Sequence, residues 1–151
     1  MATTERFRFD ALDGAASDQL LLRNNVGRVA YTFHDRVDVE PISYVYADGF
    51  VWGRTSPGTK LLKLQHNPFV AFEVDEIESA VDWRSVVVHG TVYFLSPEGG
   101  DRERDAYQRA VELLRSVYPQ VLKEDDVAPS RTVLFRIHVD SVTGRFASSA
   151  G

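Results

Sequence analysis

Two cations, three hydroxyls and a glycine fall within one short stretch of this chain, Arg54-Thr55-Ser56-Pro57-Gly58-Thr59-Lys60-Leu61. A phosphate monoester carries nearly two negative charges near neutral pH and offers several acceptor oxygens. Lys60 and Arg54 match that charge, while Thr55, Ser56 and Thr59 match the remaining acceptor sites. The stretch reads as a strand leading into a helix. Ser56 is expected to cap that helix, with Pro57 at its first position. Free backbone N–H groups and the positive end of the helix dipole then face the loop. The pattern is not the Walker loop, G-x-x-x-x-G-K-S/T. A solvated turn ending in a helix cap is the plain alternative, and residue types alone fit both.

Two further segments offer walls for a flat ring. In Asp82-Trp83-Arg84-Ser85-Val86-Val87-Val88-His89-Gly90, strand alternation puts Trp83 and Ser85 on one side, an indole beside a hydroxyl. The same Trp also suits a cover over the end of a barrel, and Gly90 suits a bulge or a close approach of backbones. Pro41-Ile42-Ser43-Tyr44 could offer backbone N–H and C=O groups to the polar edge of a ring, and alone it is an ordinary strand. The four histidines, His34, His66, His89 and His138, have no metal-motif spacing, so no metal site is expected. There is no cysteine and no G-x-S-x-G, and the acidic pairs Asp75-Glu76 and Asp125-Asp126 read as solvated loops. No catalytic side chain is identified.

The elements that must position these residues follow from periodicity. Residues 10–23 read as a helix ended by Asn24-Asn25. Residues 27–33 alternate as a strand, His34-Asp35-Arg36 turns, and 37–46 are extended, with Pro41 suited to an edge or a bulge. Asp48-Gly49 predicts a type I′ hairpin into Phe50-Val51-Trp52. A short helix spans 59–66 and stops at Asn67-Pro68. Residues 69–74 form a strand, 75–82 a polar connection, and 84–95 a valine-rich strand. Ser96-Pro97 opens a second main helix with the stripe Tyr107, Ala110, Val111, Leu114, Val117 and Tyr118, ended by Pro119. Residues 120–130 read as an acidic loop, 132–142 as the last strand and 143–146 as its tail. Some six strands with short helices between them predict a mainly β protein, an antiparallel barrel closed to remove its edges.

With 151 residues, the chain reads as one domain, 1–151. Its 44% hydrophobic and 26% charged residues mark a globular protein. The absence of cysteine excludes disulfides, thiolate zinc sites and cysteine-bound iron–sulfur clusters. A net charge of −5 argues against nucleic acid as a partner. No apolar run is long enough to span a bilayer, and residues 1–6 precede no secretory segment, so a cytoplasmic location is expected.

Pro41-Ile42-Ser43-Tyr44-Val45, the Arg54–Leu61 loop, Phe72-Glu73-Val74-Asp75 and Trp83 through Gly90 together resemble the pyridoxamine 5′-phosphate oxidase-like family of FMN-binding split β-barrels. Within that family the resemblance is nearest to the branch that includes nitroimidazole-resistance proteins. It runs from Val26-Gly27-Arg28 to Thr143-Gly144-Arg145. It implies a homodimer with FMN in a groove between two barrels. Arg54, Thr55, Ser56, Thr59 and Lys60 would hold the phosphate. Pro41, Ile42, Ser43 and Tyr44 would face the isoalloxazine edge. Trp83, Ser85 and Val86 would come from near the dimer seam, with Arg145 a weaker candidate. The implied activity is flavin-mediated hydride or electron transfer to a small-molecule substrate. The alternatives are a deazaflavin (F420) reductase on the same fold, or a non-catalytic flavin- or haem-binding module. Pyridoxamine phosphate oxidases proper end in a basic segment that grips substrate, and little follows Arg145, so that activity is not expected. Arg54 stands where nitroimidazole-resistance relatives often have a histidine.

Overall fold

The computed structural model describes residues 7–149. The reading of residues 1–6 as free of an export segment lies outside the described residues. Eight strands form one sheet: β1 (Phe7–Leu12), β2 (Val26–Phe33), β3 (Arg36–Ser43), β4 (Val45–Ala47), β5 (Phe50–Thr55), β6 (Phe69–Ser79), β7 (Asp82–Leu95) and β8 (Val133–Ser149). Three helices interrupt them: α1 (Gly14–Arg23), α2 (Thr59–His66) and α3 (Asp101–Val117). Every pairing is antiparallel, in the order β3-β2-β6-β7-β8-β5-β4, with β1 added along the far half of β8. The two ends of that path, β3 and β4, are joined in the chain by Tyr44 alone. The sheet therefore curls until its ends meet, while no ladder closes β3 onto β5. That open seam is the split in the barrel.

Strand alternation fills the interior. Val29 and Tyr31 of β2, Phe72 and Val74 of β6, Val86 and Val88 of β7, and Ile137 of β8 are all buried in one cluster. Each such side chain contributes about 1.5–3 kcal/mol by leaving water. A second cluster lies on the outer side of β5 and β8, where Ala110 and Leu114 of α3 cover Trp52 and Leu134. β5 thus serves two cores: Val51 faces the barrel, and Trp52 faces α3.

The Asp48-Gly49 turn has positive φ at both residues, 57° and 78°, as its type requires. His34 and Asp35 make the same kind of turn between β2 and β3, with φ of 49° and 62°. Gly90 is both a bulge and a close approach. The β7–β8 register shifts there, and a Cβ would lie 2.3 Å from the His138 carbonyl oxygen.

Several boundaries differ from the sequence reading. Residues 10–12 belong to β1, because Asp13 caps α1 by accepting from the Ala16 N–H at 2.8 Å. Residues 75–79 continue β6 rather than forming a polar connection. Their charges are paired on both faces: Arg28 pairs Asp75 on the outer face, and Arg23 with Arg84 pairs Glu76 on the opposite one, past the buried Val74. α3 starts at Asp101, not at Ser96-Pro97, since the Ser96 hydroxyl accepts from the Glu98 N–H in a preceding turn. β8 runs through the expected tail to Ser149 because β1 and β7 flank it. Among the described residues, no helix is long and apolar enough to cross a membrane.

Candidate functional site: an anion cleft at the barrel seam

A cleft of about 250 Å³ opens where β3 and β5 fail to pair. β3 supplies Glu40, Pro41 and Ile42, and β5 supplies Arg54 and Thr55. The loop from Ser56 to Gly58 and the start of α2 form its floor, and Arg131 stands at its rim.

The loop enters α2 differently from the sequence reading. Gly58 is the cap residue and bonds through no side chain, while Pro57 lies outside the helix. Gly58 has φ 147° and ψ −159°, a conformation open almost only to glycine. The first helical bond runs from the Leu62 N–H to the Gly58 carbonyl, so the N–H groups of Thr59, Lys60 and Leu61 have no partner within the helix. Ser56 turns the other way, its hydroxyl 3.2 Å from that of Ser130. The chain can leave β5 and enter α2 without a side-chain cap because the glycine makes the bend.

The cations of the loop are already paired. Arg54 donates two hydrogen bonds to Asp126, of 2.6 and 2.9 Å. The side chains are only 12% and 2% exposed. Arg54 and the N–H of Ala128 hold the Asp126 carboxyl well below the usual carboxylate range. The Lys60 ammonium lies 2.6 Å from Glu40, whose other oxygen accepts from the Tyr31 hydroxyl. Burial, then the charge of Glu40, pushes the Tyr31 phenol up to about 12. Arg131 is exposed and has no carboxylate within 4 Å among the described residues. Three cations against two carboxylates leave the cleft one net positive charge.

A second groove, about 230 Å³, adjoins the first and shares Arg54 and Arg131 with it. Val117 and Tyr118 at the end of α3, with Val121 and Val127 of the following loop, make it apolar. Val117 and Tyr118, the last residues of the expected apolar stripe, are 39% and 50% exposed along this groove.

The site residues expected from the sequence divide into two groups. Arg54, Thr55, Ser56, Thr59 and Lys60 do come together with Pro41 and Ile42 in the cleft. Ser43 and Tyr44 line the apolar groove. Ile42 and Tyr44 turn their side chains into the core, and the Tyr44 hydroxyl donates to the Leu21 carbonyl at 2.7 Å, so only backbone is left to face a ligand. Trp83, Ser85 and Val86 lie on β7, three strand spacings from β3, or about 14 Å along the sheet. Trp83 lines a separate hollow of about 360 Å³ with Phe9 and Arg145. Ser85 donates to Glu73, and Val86 is sealed in the barrel core. One protomer does not bring these three to the loop.

The sequence reading missed Glu40, Asp126 and Arg131. Asp126 sits in an acidic run that reads as solvated, and Arg131 has no periodic neighbour to mark it. Both acquire a role only when residues 121–131 fold back over the end of β5.

A family profile described as pyridoxamine 5′-phosphate oxidase matches residues 13–146. An FAD-binding protein from Mesorhizobium loti is 29% identical over 93% of this chain and 99% of its own, with a TM-score of 0.71. An FAD-binding protein from Mycobacterium smegmatis is 27% identical over 91% and 98%, with a TM-score of 0.65. A 5-nitroimidazole antibiotic resistance protein from Bacteroides thetaiotaomicron shares the fold at 18% identity, over 95% and 90%, with a TM-score of 0.70.

Proposed function

The chain belongs to the pyridoxamine 5′-phosphate oxidase family, and we propose that it is a flavin-dependent oxidoreductase that anchors its cofactor by phosphate in the seam cleft. One observation carries this reading: Lys60, Arg131 and the start of α2, whose first N–H groups have no partner within the helix, line a single cleft. FMN is the smallest flavin with the phosphate such a site needs, and the FAD-binding relatives extend the cofactor class to the dinucleotide. When bound, the flavin supplies the hydride or electron chemistry. This chain's residues bind, orient and exclude water. Lys60 and the α2 N–H groups hold the anion, and the free edge of β3 from Pro41 to Ser43 runs beside the place a ring would extend.

The reading includes a homodimer. Trp83 and Ser85 line no part of the cleft of their own barrel, so in this reading they wall the cleft of a second copy. Exposed apolar side chains on the barrel exterior support such a contact: Val39 is 62% exposed and Phe69 66%. The substrate is a small molecule reached from the open side of the ring.

The test is titration of apo-protein with FMN, FAD, riboflavin and F420, followed by reoxidation of the reduced complex with candidate acceptors. FMN or FAD should bind more tightly than riboflavin, and Lys60→Gln should weaken FMN about tenfold or more, the loss of one charge-assisted hydrogen bond. Tighter binding of F420 would move the protein to the deazaflavin reductases. Flavin bound but never reoxidised by any acceptor would make it a carrier. Unaltered FMN affinity in Lys60→Gln would remove the phosphate assignment.

A further inference from the structure

Arg54 and Arg131 both border the cleft, yet they stand in opposite electrostatic states. Arg54 is locked in a two-pronged bond to Asp126, and both side chains are nearly sealed from water. The Asp126 carboxylate also accepts from the Leu122 N–H at 2.8 Å and the Ala128 N–H at 3.0 Å, so its acceptor sites are filled. A carboxylate with four such bonds is not readily displaced by a ligand anion, because leaving would strand its own charge. What the pair does accomplish is to pin residues 121–131 against the end of β5. The Ser56–Ser130 contact adds a second tie, beside the phosphate loop itself. Within that strap the Arg131 N–H bonds to the Ala128 carbonyl at 3.0 Å, which fixes the backbone from which its side chain projects. Arg131 then borders both the polar cleft and the apolar groove, and no carboxylate neutralises it among the described residues.

We propose that Arg131, not Arg54, is the guanidinium that contacts the anionic group of the ligand, and that Arg54 and Asp126 are positioning residues that act through it. This rests on the phosphate reading of the cleft and names a specificity-determining residue for it. A guanidinium at the junction of the two hollows rewards a phosphorylated ligand over its unphosphorylated parent. It also lies within the same strap as Val127 and Ala128 of the apolar groove, so anion recognition and the shape of that groove are coupled.

The experiment compares FMN and riboflavin affinities of the full-length apo-protein with those of Arg131→Gln, Arg131→Lys, Asp126→Asn and the double variant Asp126→Asn/Arg131→Gln. Arg131 is exposed, so its substitution leaves folding intact. Arg131→Gln is expected to lose about tenfold or more in FMN affinity with riboflavin unchanged, and Arg131→Lys to recover part of the loss. Asp126→Asn is expected to lower FMN affinity too. The double variant should bind FMN no more weakly than Arg131→Gln alone, since a residue acting through another adds nothing once that other is gone. Wild-type FMN affinity in Arg131→Gln, with Lys60→Gln still impaired, would overturn the inference while leaving the phosphate cleft in place. If both variants bind FMN normally, the cleft reading itself falls. Tighter FMN binding in Asp126→Asn would show Arg54 as a ligand released from its lock, and would equally overturn the assignment. So would effects of Asp126 and Arg131 that simply add.

Discussion

Arg54 and Asp126 meet across 72 residues of sequence, through bonds of 2.6 and 2.9 Å in a nearly dry setting. The pair joins the end of β5 to the only long loop that overlies it among the described residues. Removing either partner leaves a charge with no counterion, so Arg54→Met and Asp126→Ala should each destabilise the fold. Each should cost more than Arg109→Met, whose pairs with Asp48 and Glu112 are solvated. The replacement of both partners together should cost less than either alone, which a double-mutant cycle in urea will measure.

The network around Glu76 sets an acid limit on stability. Arg23, then Asn24 and Arg84, donate to its carboxylate and bring its pKa down to about 2. The folded value lies below the unfolded one, near 4.3. The stabilisation is therefore fully present above the unfolded pKa and is lost as pH falls from there through about 2. After discounting for solvent screening it amounts to about 1–2 kcal/mol. Glu76→Gln should be less stable than wild type at neutral pH by that amount, and the gap should narrow from about pH 4 and close only near and below about pH 2. Urea unfolding across that range reads the convergence, and a gap that persists in acid would show that packing, not charge, is lost.

Tyr44 carries two duties at the single residue between the ends of the sheet. Its side chain packs on Phe72 with ring centroids 4.9 Å apart, and its hydroxyl holds the end of α1 through Leu21. Tyr44→Phe keeps the ring and leaves the Leu21 carbonyl without that donor. A loss of about 1–2 kcal/mol is expected in thermal or urea unfolding, with flavin affinity intact, because only backbone of this residue faces the groove.

The bulge in β7 offers a sharper steric test. A Cβ on Gly90 would stand 2.3 Å from the His138 carbonyl oxygen and 2.6 Å from Ile137 Cγ2, neither of which is a flexible end. Gly90→Ala should cost about 1–3 kcal/mol, or shift the β7–β8 register visibly in the amide spectrum. Gly49→Ala meets nothing within 4 Å, and its strain comes from its φ of 78° alone. A loss for Gly90→Ala no greater than for Gly49→Ala would contradict the close approach.

What could be read in the sequence is whatever is local. Asp48-Gly49 named its turn, Gly90 its bulge, and the alternation of residues 27–33 its strand. The clustering of Arg54, Thr55, Ser56, Thr59 and Lys60 was visible because these residues lie in one contiguous stretch. β1 was not, since nothing in residues 7–12 announces a partner more than 130 residues away at residues 144–149, and Asp13 hides the helix start just beyond. The acidic end of β6 looked like a connection because its ion-pair partners, Arg23, Arg28 and Arg84, sit on other elements. Asp126 and Arg131 escaped for the same reason, as their meaning depends on a loop folded against β5. The family resemblance recovered the overall fold despite these gaps because it rests on contiguous segments in a fixed order.

Glu40 opposes the function proposed for its neighbour. Its carboxylate lies 2.6 Å from the Lys60 ammonium and lines the same cleft. An arriving phosphate must compete with that contact and bear the repulsion of a fixed negative charge. At an effective dielectric near 20, like charges some 5 Å apart repel by about 3 kcal/mol before screening, and salt and solvent cut this severalfold. Glu40→Gln retains an acceptor for the Tyr31 hydroxyl and removes the charge. FMN affinity should therefore rise about three- to tenfold, with riboflavin unaffected and the gain shrinking as salt is added. The Tyr31 phenol should titrate lower than its present value of about 12, because the second contribution to its elevation is the Glu40 charge. A fall in FMN affinity in this variant would mean that Glu40 holds Lys60 in the working position instead of competing for it, and the Tyr31 titration would show that the charge had nonetheless gone.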